Sequence, residues 1–149
     1  MDVSFLAYMP NLQYLIIADT PVSDISAMEN LKNLVYLEAF LCNIRDVSPL
    51  LGCTSLQDIN IANNPIQDIS LLGQIETLNN IWISGREWPR AQKEALNAAK
   101  PDATIVYYMD RGSTGKGWRS LDNYFNQRDL LGMWYMSDDG DVVYERPKK

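Results

Sequence analysis

The chain has no histidine in 149 residues, only two cysteines, and 13 lysines and arginines against 19 aspartates and glutamates. Each shortage removes a class of function. Without an imidazole base, the Cys-His and Ser-His-Asp nucleophile arrangements cannot be assembled, and a zinc site loses its usual nitrogen ligands. Two cysteines cannot staple a miniprotein, while 149 residues with 46% hydrophobic content can bury the core of one folded domain unaided. A net charge of -6 leaves no cluster of cations to neutralise phosphates, so nucleic acid is not an expected partner. An anionic membrane surface would repel such a chain. No apolar run reaches the roughly 18 residues that cross a bilayer, and no charged-then-apolar signal pattern opens the sequence, so membrane insertion is not expected.

What is present is a period. The tetrads DVSF, DISA, DVSP and DISL place Asp2, Asp24, Asp46 and Asp68 at steps of 22 residues, with Ser4, Ser26, Ser48 and Ser70 two positions after each. Blocks beginning at 11, 33, 55 and 77 then align in every apolar column. One column is Leu12, Leu34, Leu56 and Leu78; the next is Leu15, Leu37, Ile59 and Ile81; a third is Ile17, Ala39, Ile61 and Ile83. Val22, Ile44 and Ile66 follow, and further columns run through Val3, Ile25, Val47 and Ile69, through Leu6, Met28, Leu50 and Leu72, and through Met9, Leu31, Cys53 and Ile75. Seven columns of this kind predict a continuous stacked core.

The unit reads LxxLxLxxNxI, matched from Asp2 to Ile83, and it resembles bacterial leucine-rich-repeat proteins of the 22-residue, internalin-like subclass. The resemblance implies an α/β fold. That fold is a right-handed solenoid with a parallel sheet on its concave side, short turns or 3-10 helices on its convex side, and an α+β cap at the C-terminus. The chemistry of the residues agrees, because alternating LxL buries one face of a strand and exposes the other. Asp and Ser suit the convex turns, where side-chain oxygens accept otherwise orphaned backbone N–H groups. The expected division is repeats over 1–85 and a cap over 86–149.

The repeat accounts for both cysteines. Cys42 shares a column with Thr20 and Asn64, whose side chains are expected to bond backbone groups inside the turn, and Cys53 lies in an apolar column. Both read as packing residues, with no disulfide. The aspartates Asp24, Asp46 and Asp68 recur in every unit as a structural turn cap would, whereas catalysis wants one asymmetric pair in a cleft. No metal site, catalytic residue or cofactor is expected.

Residues flanking the buried columns point to the other face of the sheet. They form the rows Tyr14, Tyr36, Asp58, Asn80; Ile16, Glu38, Asn60, Trp82; Ala18, Phe40, Ala62, Ser84; and Asp19, Leu41, Asn63, Gly85. The early repeats offer aromatic and apolar groups and the third offers polar ones. From these rows Tyr14, Ile16, Tyr36, Glu38, Phe40, Asp58, Asn60 and Trp82 are the expected solvent-facing contact residues, since rigidly held aromatics make interface anchors; the alternative is that they cover the sheet, or meet further repeats, a partner chain or a C-terminal segment of this chain.

Past Gly85 the period breaks. WPRAQKEALNAAKP predicts an amphipathic helix with Pro89 near its first turn and Pro101 beyond its end, and ATIVYY a fifth parallel strand. The run MDRGSTGKGWRS lacks the spacing of a phosphate loop, because Lys116 is followed by Gly117 and Trp118. SLDNYFNQRDLLG reads as a short helix with Ser120 as N-cap, Gly132 as stop, and Leu121, Tyr124, Phe125 and Leu131 facing inward. Two β-rich runs around Asp138, Asp139 and Gly140 read as a hairpin. Its Trp134, Tyr135 and Tyr144 are expected to pack on the helix or the last repeat.

The chain opens within a repeat unit, so Met1 reads as a boundary inside a longer protein. Five strands about 4.8 Å apart make a face about 20 Å wide, small beside the roughly 800 Å² that each partner buries in a standard interface. The expected function is therefore part of a protein-binding surface in a larger bacterial protein. The family resemblance implies secretion or display on a Gram-positive cell surface. A carbohydrate is the alternative ligand, and a structural spacer or a hydrolase using Glu38 and Asp58 are the alternative roles. Oligomeric state is left open.

Overall fold

A computed structural model describes residues 1–108 and 117–132, together with the backbone at 135–136 and 142–143. It divides into two compact units, Met1–Met109 and Asp110–Lys149.

In the first unit the LxL segments become three-residue strands. They are β1 (Tyr14–Ile16), β2 (Tyr36–Glu38), β3 (Asp58–Asn60) and β4 (Asn80–Trp82), and β5 (Thr104–Val106) follows after a helix. The sheet order is β1-β2-β3-β4-β5, all parallel. Leu15 faces Leu37, Leu37 faces Ile59, Ile59 faces Ile81 and Ile81 faces Ile105, so this column found by period is a physical stack.

On the convex side each unit makes a five-residue 3-10 helix: Ser4–Tyr8, Ser26–Asn30, Ser48–Gly52 and Ser70–Gln74. The cause is local. Asp2, Asp24, Asp46 and Asp68 each accept the backbone N–H of the serine two residues on, at 2.8 to 2.9 Å, which turns the chain and satisfies a donor that the helix start leaves orphaned. These bonds hold the carboxyls of Asp2 and Asp24 below the ordinary aspartate range. Gly52 is required by close approach, since a Cβ there would sit 1.8 Å from the Glu29 carbonyl oxygen of the preceding unit.

Between the two sides lies one core containing Ile25, Met28, Leu37, Leu50, Cys53, Ile59, Leu72 and Ile81, all buried. Met9 departs from its column and is exposed, while Val3 and Leu6 of the same unit are buried. The turn column behaves as the residue types foretell. Asn64 donates to the carbonyls of Ala39 (2.7 Å), Ile61 (3.0 Å) and Ala62 (3.3 Å) and accepts the Ile44 N–H at 3.0 Å. Cys42 reaches the Ile17 carbonyl at 3.3 Å and Thr20 bonds the same oxygen at 2.6 Å. Both cysteines are free. Burial pushes the Cys53 thiol up to about 12, which leaves it unreactive at neutral pH.

The crossover from β4 to β5 replaces the 3-10 turn with α1 (Arg90–Ala99), entered through Pro89 at φ -53. Leu96 is buried, and Gly73 lets the helix come close, since a Cβ at Gly73 would lie 2.7 Å from that of Ala99. Side chains of the crossover supply what another repeat's backbone would. The Gln92 amide donates to the Gln67 carbonyl (3.0 Å) and accepts the Ile69 N–H (3.2 Å). In the repeats, the Gln67 N–H itself bonds the Arg45 carbonyl of the unit before it, at 2.9 Å. The Lys100 ammonium donates to the Ile75 and Glu76 carbonyls; burial lowers its pKa and Glu76 acts the other way. Arg86 bonds the Ile66 carbonyl at 3.0 Å and lies 4.7 Å over the ring of Trp88, whose Nε1 donates to the Ile83 carbonyl at 2.8 Å.

The second unit holds a 3-10 turn at Trp118–Ser120, α2 (Asp122–Leu131), and the antiparallel pair β6 (Tyr135–Met136) and β7 (Val142–Val143). Gly132 stops α2 at φ 62, as read from the sequence. Two expectations there are corrected. Ser120 does not cap α2: its hydroxyl bonds the Gly117 carbonyl at 2.7 Å to close the 3-10 turn, and Leu121 occupies the cap position. Leu131 lies exposed in the last turn rather than inward. The glycine-rich run before Gly117, the hairpin turn, and the side chains of Trp134, Tyr135 and Tyr144 lie outside the described residues.

Candidate functional site

Parallel register aligns the rows of Tyr14 and of Ile16 by strand pairing, and backbone bonds from Asp19 to Phe40, from Leu41 to Ala62 and from Asn63 to Ser84 carry the alignment past the strand ends. Their exposure differs from the expectation in a systematic way. Ile16 is exposed at 45%, while Tyr14, Phe40 and Asn60 are half-buried. Tyr36 is 0% exposed and Trp82 6%, and Glu38 and Asp58 are buried as well.

Partners within the rows account for part of this. The Tyr36 hydroxyl donates to the Glu38 carboxylate, and the Asn80 amide donates to Asp58 Oδ1 at 2.7 Å. The rings of Tyr14 and Tyr36 lie 6.2 Å apart at 49°. Buried carboxylates must be hydrogen-bonded to persist, and these two are. The sequence reading of Tyr36, Glu38, Asp58 and Trp82 as solvent-facing is therefore corrected. Their alternation was read rightly, but strand alternation fixes direction and not accessibility.

The fourth row runs along the rim where the strands end. Asp19, Leu41, Asn63 and Gly85 are all exposed, and all have positive φ, at 56°, 55°, 56° and 104°. Of the expected contact residues, Tyr14, Ile16, Phe40 and Asn60 are thus accessible, together with Ala18 and Asn80 of the same rows and this rim. Sequence reasoning grouped the rim row but drew no contact residue from it; the signal was that Leu41 stands among Asp, Asn and Gly, the residues suited to left-handed backbone.

Among the described residues there is no group of three or more His, Cys, Asp or Glu side chains arranged to hold a metal ion, and no helix long and apolar enough to cross a membrane. The turn carboxylates Asp24, Asp46 and Asp68 each serve the serine of their own unit.

Neither a protein-family model nor a curated protein matches the sequence. Solved structures do. An internalin (InlF) from Listeria monocytogenes matches with a TM-score of 0.64 and 24% identity, over 74% of this chain and 34% of that one. Internalin C2 from the same species matches with a TM-score of 0.64 and 26% identity, over 72% of this chain and 46% of that one. A leucine-rich-repeat protein of Leptospira interrogans matches with a TM-score of 0.65 and 17% identity, over 72% of this chain and 28% of that one. The chain spans less than half the length of each of these structures. Parallel strands at 22-residue spacing, 3-10 turns on the convex side and the turn column led by Asn64 make this chain a leucine-rich-repeat solenoid, similar in fold to the internalins.

Proposed function

We propose that the chain is part of a protein-recognition module that binds through the sheet face and its rim and catalyses no reaction. One observation carries the reading. The core-side columns repeat from unit to unit, whereas the rows on the other face change, from Tyr14 to Tyr36 to Asp58 and from Ile16 to Glu38 to Asn60 to Trp82. A rigid frame with unit-by-unit variation on one side is how repeat proteins build binding surfaces.

Tyr14, Ile16, Phe40 and Asn60 are the residues this reading places in contact with a partner. The Tyr36 ring lies 6.2 Å from that of Tyr14 in the same row. An exposed Ile16 favours a protein over a carbohydrate, because it offers apolar area and no hydrogen bond. By analogy with the internalin structures, the module belongs to a larger secreted or surface protein.

The test uses the accessible residues only, since alanine at Tyr36 or Trp82 would disturb packing. The purified chain and a Tyr14→Ala, Ile16→Ala, Phe40→Ala triple variant are used for capture from host-cell extracts, with circular dichroism confirming equal folding. A protein held by the wild type and lost by the variant is the expected result. Equal retention by both would move the spacer role ahead.

A further inference from the structure

We draw no further inference here: the strongest candidate, the apolar end layer in which Met1, Phe5, Tyr8, Met9 and Ile16 lie exposed beside the outer edge of β1, the first strand of the sheet, is an open face for which nothing in the structure shows what covers it.

Discussion

The junctions between repeats and the crossover from β4 to β5 solve the same problem by different means. Between repeats, backbone meets backbone in register, and one buried side chain, Asn64, gathers four further bonds. At the crossover the work falls to single side chains: Gln92 stands in for a peptide group, Lys100 closes two carbonyls, and Arg86 ties the Ile66 carbonyl to the face of Trp88. The first arrangement is redundant, because each layer is held from both sides. The second depends on particular residues, so the end of a periodic structure is also where its sequence stops being periodic.

The largest effect that would break this contrast is at Asn64. Asn64→Ala removes all four of its bonds at once and leaves the Ile44 N–H and the Ala39 carbonyl buried without a partner. A cost of about 3 kcal/mol is expected, read as a lower midpoint in urea with the transition still single. Gly52→Ala comes next. The added methyl would meet the Glu29 carbonyl oxygen at 1.8 Å, so two adjacent 3-10 helices must part, at about 2 kcal/mol.

The crossover should respond differently. Gln92→Ala is expected to cost about 1 kcal/mol and to act locally, raising hydrogen exchange across α1 while β2 and β3 keep their protection. If exchange rose equally through the repeats, the crossover would be as integral as any repeat and the contrast would dissolve.

The smallest effect concerns the exposed turn carboxyls. Serine N–H bonds hold Asp2 and Asp24 below the ordinary value of 3.8. A depressed folded-state pKa adds stability above the unfolded value, and that stability is lost as pH falls through the folded one. The thermal midpoint should therefore decline as pH drops below about 4, and Asp24→Asn should make the decline shallower.

Much of this fold is legible in the sequence because a 22-residue period is self-checking: Leu37, Ile59 and Ile81 fall in one column and one physical stack. The fifth strand and Gly132 as a helix stop are legible for local reasons, in turn chemistry and β-branched runs. Accessibility is not legible. Alternation tells which way Tyr36 and Glu38 point, while their burial depends on what lies beside them. Gln92 is invisible for another reason, since a glutamine on an amphipathic helix is ordinary until its amide is seen bridging Gln67 and Ile69. Ser120 misleads because the pattern of an N-cap and that of a 3-10 closure are the same at the level of residue type.

The most direct test of the recognition account is photocrosslinking from two exposed positions on opposite sides of the solenoid. A benzophenone amino acid replaces Ile16 on the sheet face in one protein and Glu29 on the convex side in another, both presented to the same host-cell extract. The account predicts a discrete protein adduct from position 16 and none from position 29. The same adduct from both positions, or from position 29 alone, would contradict it.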